Sequence, residues 1–215
     1  MDADSQRIAL EGEPNQSLVA GESLDVLRSF VDDLAAFGET LGLLGPREYP
    51  RIWTRHILNC AVVAPMLNSC AVIADVGSGA GLPGLVIAAM LPETECHLVE
   101  PMQRRASWLS QEAERLGLRN VVVHALPAQE VDLLGRCDAV TSRAVAPLRG
   151  LIPLTAPLAR SGGRLCLIKG QSVASEWQKA RPVGKKYRLS DVSIERVGEG
   201  LIPEPTMVFT ATVGR

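Results

Sequence analysis

The stretch from Asp75 to Gly84, DVGSGAGLPG, carries two overlapping glycine registers. Gly79, Gly81 and Gly84 spell G-x-G-x-x-G, the turn that lets a pyrophosphate approach a helix N-terminus. Gly77, Gly79 and Gly81 spell G-x-G-x-G, the loop of a different class of nucleoside cofactor. Ahead of the glycines, AVIADVG (71–77) is a short apolar run that ends in an acid and a turn. Beyond them, Pro83 suits the first turn of a helix. A second run, ECHLVE (95–100), closes on Glu100, so either register sits in a strand-turn-helix-strand frame.

The same form recurs outward from this frame. NVVVHAL (120–126), CDAVTSRAV (137–145) and GGRLCLIKG (162–170) are further apolar runs separated by helix-length segments. Strands alternating with helices predict a mainly parallel sheet covered on both faces. Tyr187 to Val197 and Thr206 to Val213 follow with no helix between them, which predicts an antiparallel ending and seven strands in all. Upstream, the spacing of Leu24, Leu27, Val31, Leu34 and Leu41 predicts an amphipathic helix stopped by Gly42 and Gly45-Pro46. A second helix is expected from Pro50 to Leu67, with Ile52, Trp53, Ile57, Cys60, Ala61 and Ala64 inward. Roughly the first 15 residues, rich in Asp, Glu, Gln and Ser, read as a disordered acidic tail. The expected organisation is a tail and helices over 1–68 packed on a core of 69–215, one compact α/β domain overall.

No run of the chain approaches a membrane span, and the acidic N-terminus lacks the features of a signal peptide, so a cytoplasmic protein is expected. Five scattered cysteines without a C-x-x-C pair read as reduced core thiols rather than disulfides or a metal centre. The net charge of -2 conceals an asymmetry: residues 1–100 hold 5 Lys and Arg against 14 Asp and Glu, while residues 101–215 hold 17 against 10. A polyanion would be attracted by the second half only, so a nucleic-acid partner is compatible with this charge balance.

The strand ends separate the two registers. A dinucleotide enzyme needs a second βαβαβ half and a substrate domain, for which 215 residues leave little room. Asp75 would repel a pyrophosphate, whereas the sulfonium and amino group of S-adenosylmethionine are positive. Glu100 suits a ribose diol in either class. Methyl transfer, with S-adenosylhomocysteine as product, is therefore favoured over a NAD(P)-dependent reductase. At the fourth strand the sequence reads SRAVAP (142–147), not the prolines and aromatic ring that serve exocyclic amines. Cys137 and Cys166 lie within strands, so neither is placed as the nucleophile for pyrimidine C5. An acceptor with its own lone pair remains, and guanine N7 needs only alignment in a preorganised site.

The combination of RHILNC (55–60), DVGSGAGLPG, SRAVAPL (142–148) and LIKGQ (167–171) resembles the methyltransferase G family for small-subunit ribosomal RNA, formerly called glucose-inhibited division protein B. The resemblance implies the Rossmann-like S-adenosylmethionine-dependent fold and methylation of N7 of one guanine in the decoding-region loop of 16S rRNA. It also implies cofactor contacts at Gly77 and Leu82, at Ala128 and Gln129 around the adenine, and at Arg143. Three departures stand out: Glu100 where relatives often carry Asp, Ala128-Gln129 where they commonly carry Val-Glu, and GLLGPRE (42–48) in place of N-L-T.

Roles follow for further residues. Asp75, Gly79, Gly81 and Glu100 join the cofactor set, and Arg143 is placed to hold a carboxylate or guanine O6. Lys169 and Gln171 are expected to meet phosphate and base edge, with Arg143 and Lys169 as the catalytic pair. Arg55 and His56 are expected at the cofactor or RNA. Arg104, Arg105, Lys185, Lys186 and Arg188 are candidates for tracking phosphates. Trp177 and Tyr187 are candidates for base stacking, and Trp108 is expected in the core. The expected partner is 16S rRNA in the small subunit or an assembly intermediate, engaged by a monomer with no metal and no membrane. A methyltransferase for a small molecule or a protein stays open as the alternative.

Overall fold

The computed structural model describes residues 16–45 and 47–214, and the expected acidic tail lies outside them. Seven strands form one sheet: β1 (Val72–Val76), β2 (Glu95–Val99), β3 (Val121–His124), β4 (Cys137–Arg143), β5 (Ala159–Lys169), β6 (Leu189–Val197) and β7 (Thr206–Val213). Their order is β3-β2-β1-β4-β5-β7-β6. The first five pair in parallel, and β7 is antiparallel to both β5 and β6. The order reverses beside β1 and β4, so their carboxyl ends flank the crevice where doubly wound sheets take ligands.

Alternation along the strands supplies two cores. Ile73, Leu98, Ala139, Cys166 and Ile168 face one side, against Leu85 and Ile87 of α4 (Gly84–Met90) and Leu109 of α5 (Gln103–Arg115). Leu27, Phe30 and Leu34 of α2 (Leu24–Phe37) join that same core, preceded by the short α1 (Gln16–Ala20). Arg115 of α5 ties the layer together by pairing with Glu112 at 2.9 Å and with Asp33 of α2. Ala74, Val76, Val140, Leu165 and Leu167 face the other side, under α6 (Leu148–Thr155) and α7 (Val173–Lys186). Because both faces are covered, the inner strands are apolar almost throughout, which is why they read as runs rather than as alternating stripes.

The expected regular helix from Pro50 to Leu67 is not what forms. A 3-10 turn (Tyr49–Arg51) leads into a π-helix (Ile52–Ile57), in which the Leu58 N–H reaches the Trp53 carbonyl. Only Leu58–Ala61, α3, is α-helical before another 3-10 turn at Ala64–Leu67. The wider i→i+5 winding gathers Ile52, Trp53, His56 and Ile57, all buried, onto one narrow face. The five cysteines are free and buried, and burial pushes Cys96, Cys137 and Cys166 up to about 12, far from a reactive thiolate.

Candidate active site

The glycine loop is built from behind. Asp75 is 2% exposed, and its Oδ2 accepts the Gly84 N–H at 3.0 Å, which fixes the start of α4. A Cβ on Gly84 would stand 2.6 Å from that oxygen and 2.9 Å from Leu98 Cγ, so the residue that completes the rival register is a packing glycine. Asp75 therefore orients the glycine turn from beneath the loop and does not line the cavity above it, so it is not among the cofactor-set residues brought to the cleft. Burial raises its carboxyl to about 7. Gly81 also faces inward, toward Leu85 and Phe30 at φ +100°, rather than into the cavity. Trp108 is core, as expected, and its indole N–H supports the loop at the Ala80 carbonyl, 3.2 Å away.

Above the loop is a cleft of about 510 Å³. Gly77, Gly79 and Leu82 form its floor, and Glu100, Ala128 and Gln129 line it as the sequence predicts. Glu100 is 4% exposed, with one oxygen accepting the Gly79 N–H at 3.0 Å and the other the Met102 N–H at 2.9 Å. Each oxygen keeps a second lone pair, so a diol can still be bound. Leu43, Leu44, Met102 and Arg105 also line the cleft. Their part was not readable in the sequence, because Leu43 and Leu44 come from the loop after α2 and reach the site only through the fold. Arg105 donates through Nη2 to the Gly42 carbonyl at 3.2 Å, while its buried Nε has no partner among the described residues.

The fourth strand closes the cleft. Ser142 Oγ donates to the Val76 carbonyl at 2.7 Å, joining the ends of β4 and β1. Ala144 takes φ +57°, and Val145 then packs against Gly77, where a Cβ would collide with its Cγ2. Arg143 and Ala144 also line a second cleft, of about 740 Å³, together with Glu48, Arg55, His56, Asn59, Lys169 and Gln171. The two clefts thus share one wall, at Arg143.

Arg143 is held there. Its Nη2 lies 2.6 Å from His56 Nδ1, its Nη1 donates to the Arg55 carbonyl at 3.2 Å, and His56 Nε2 stands 2.8 Å from Glu48 Oε2. Burial, helped by the Arg143 charge, depresses His56 to about 4, and the His56 hydrogen bond lowers Glu48. Arg55 pairs with Glu48 at 3.3 Å and is half exposed.

Lys169 plays a different part from the expected phosphate contact. Its Nζ donates to the Ala146 carbonyl at 2.8 Å and pairs with Glu176 at 2.9 Å, leaving the side chain 8% exposed. Glu176 also accepts the Leu148 N–H at 3.0 Å, so the pair braces the turn after β4. Lys185, Lys186 and Arg188 are not brought to either cleft. β5 pairs Lys169 with Met207 at the cleft end and Arg164 with Thr212 at the other, and α7 runs back along it. Fourteen helical residues span about 20 Å, which carries these cations to the far end of the sheet. Trp177 packs on Phe209 with ring centroids 5.2 Å apart, and Tyr187 lies under Lys186, so neither ring borders the second cleft.

A glycine-looped cleft with an acid at the second strand end, on a sheet with an antiparallel β7 inserted between β5 and β6, defines a Rossmann-like methyltransferase. Solved structures agree on the fold: the SAM-dependent O-methyltransferase of Thermotoga maritima aligns with a TM-score of 0.59 at 16% identity, covering 86% of this chain and 71% of that one. TYW2 of M. jannaschii, solved in complex with AdoMet, gives 0.58 at 17%, covering 74% and 76%. The family described as rRNA small subunit methyltransferase G matches residues 23–202. Ribosomal RNA small subunit methyltransferase G of Leifsonia xyli subsp. xyli is 46% identical over 193 residues, 90% of this chain and 92% of that protein. Its namesake in Clavibacter michiganensis subsp. michiganensis is 43% identical over 207 residues, 96% and 98% respectively. The chain belongs to the rRNA small subunit methyltransferase G family. Among the described residues, no helix is long and apolar enough to cross a membrane, and no group of three or more His, Cys, Asp or Glu is placed to hold a metal.

Proposed function

We propose that this protein transfers the methyl group of S-adenosylmethionine to N7 of one guanine in the decoding-region loop of 16S rRNA, presented by the small subunit or an assembly intermediate. The observation that carries the reading is the shared wall: a nucleoside-sized cleft and a second cleft lined by Arg55, His56, Asn59 and Gln171 meet at Arg143. The cofactor fits the residues of the first cleft. Glu100 would take the ribose hydroxyls, Ala128 and Gln129 the adenine, and Gly77 and Gly79 the amino-acid end. When bound, S-adenosylmethionine supplies an electrophilic methyl on a sulfonium.

The chain's own task is then alignment. The nearest base, His56, is committed between Arg143 and Glu48, and Asp75 is committed to the Gly84 N–H. His56 is thus tied up, and Asp75 lies beneath the loop outside both clefts, so neither is placed to take a proton from a bound acceptor, which suits a nitrogen that has none to lose. The guanidinium protons of Arg143 left over from His56 and Arg55 can donate to a purine O6 beside N7. Arg55, half exposed, lines the second cleft, and Arg51, also about half exposed, pairs with Glu204 of its lining, so both are candidate cations for phosphates. Both clefts are complete within one chain, which supports action as a monomer. The test is to map N7-methylguanine on ribosomal RNA from cells with and without the protein. Loss of one N7-methylguanine in 16S rRNA is expected. An unchanged pattern, with turnover of a small molecule or protein instead, would overturn the reading.

A further inference from the structure

Arg143 borders the reacting centre, yet what holds it lies on another element 87 residues away, at His56, and behind that at Glu48. The direction of the chain is set by chemistry. A guanidinium only donates, so His56 Nδ1 at 2.6 Å must offer a lone pair. The single ring proton then resides on Nε2, where the Glu48 carboxylate at 2.8 Å accepts it. His56 is 7% exposed, so no water competes at either nitrogen as it would at the surface. The π-helical winding at Ile52–Ile57 places the Arg55 carbonyl and the His56 ring against the same guanidinium.

We propose that Glu48 and His56 are positioning residues that lock the Arg143 guanidinium on the wall between the two clefts, and that the lock holds only while His56 is neutral. The inference rests on the reading of Arg143 as a contact to the transferred group's surroundings. Protonation of Nδ1 would remove the acceptor and set two cations face to face. The charged groups around the ring are Glu48 on the preceding turn, Arg55 beside it and Arg143 from β4. Lys169 and Glu204 border the same cleft but are paired with Glu176 and Arg51. Methyl transfer therefore has an acid limb that belongs to His56, set low by burial.

The experiment compares His56→Ala and His56→Gln with the wild type in small-subunit RNA methylation across pH, alongside cofactor titration calorimetry and 15N NMR of the histidines. His56→Ala should slow transfer by roughly 10- to 100-fold while moving cofactor affinity by less than about 3-fold, the scale expected when a catalytic group is misplaced. Glutamine can accept from Arg143 through its oxygen and donate to Glu48 through its amide, and it does not titrate. His56→Gln should therefore recover most of the rate and lose the acid limb. The NMR should show His56, identified as the signal missing from His56→Gln, with its proton on Nε2. An unimpaired His56→Ala, an acid limb that persists in His56→Gln, or a proton on Nδ1 would overturn the lock. If the wild type fails to methylate the RNA at all, the functional reading fails, while the NMR still decides whether the lock exists. If His56→Ala does not fold, His56→Gln and the NMR decide it.

Discussion

Substituting Gly77 by Ala should do two separable kinds of damage. Gly77 has φ +74°, a region that costs a non-glycine residue about 1–2 kcal/mol. A Cβ there also collides with Val145 Cγ2, and overpacking of this sort costs about 1–3 kcal/mol more. Gly79 is the internal control: its φ is +54°, but the nearest atom to a Cβ is the Gly77 carbonyl oxygen at 3.8 Å, so Gly79→Ala should show the backbone cost alone. Gly77→Ala is thus expected to lose about 2–5 kcal/mol, or roughly 5–15 °C of melting temperature for a chain of this size. Val145 is 40% exposed, so trimming it is cheap in itself, and Gly77→Ala/Val145→Ala should regain about 1–3 kcal/mol. Chemical denaturation of the four variants, completed as a double-mutant cycle, measures each term. Because Gly77 and Val145 line the cofactor cleft, calorimetry should show weaker S-adenosylmethionine binding in Gly77→Ala and partial recovery in the double variant. Equal losses at Gly77 and Gly79, or strict additivity with Val145→Ala, would refute the claim that the two loops are packed against each other.

Three more outcomes are expected. Burial raises Asp75 from 3.8 to about 7, so the wild-type fold holds a neutral acid whose stabilising contribution is complete below the unfolded value and is lost as pH rises through about 7. Asp75→Asn should gain on the wild type in denaturation experiments as pH rises through that window, and parallel stability curves would disprove it. Glu176→Ala leaves the buried Lys169 ammonium with only the Ala146 carbonyl and should cost about 3 kcal/mol, whereas Lys169→Met/Glu176→Leu should cost much less. Equal melting temperatures for these two would show that the pair does not brace the turn. Neutralising Lys185, Lys186 and Arg188 together should change kcat and KM for the RNA by less than about 3-fold, because they stand some 20 Å along α7 from the clefts. A large rise in KM would place RNA on that far end.

Local chemistry made much of this molecule readable. The strand-turn-helix frame, the antiparallel ending and the cleft positions of Gly77 and Glu100 follow from turn residues and strand-end acids, which act within a few residues of themselves, while Ala128 and Gln129 were legible only through the family resemblance. Ser142-Arg143-Ala144 was legible as a unit, although its work is done on Val76, His56 and Gly77, which sit in other elements. What stayed hidden depended on such pairings. Glu48 reads as one more surface acid until the fold sets it behind His56. Lys169 beside Gln171 reads as an anion contact until Glu176 turns up one helix turn later on α7. The basic residues 185–188 follow KGQ closely in sequence, but a helix stands between them, and its length is what carries them away. The π-helix at Ile52–Ile57 has no signal in the apolar spacing, since the same residues would also suit a regular helix.

The most direct measurement is transfer itself: purified protein, S-adenosylmethionine labelled in its methyl group, and small subunits lacking the modification, followed by mapping of label on the 16S rRNA. One guanine labelled at N7 is predicted, with the signal strongly reduced in Arg143→Ala although the cofactor still binds. Label on another atom or another base, or full transfer by Arg143→Ala, would contradict a site in which two clefts meet at Arg143 to align an acceptor that needs no base.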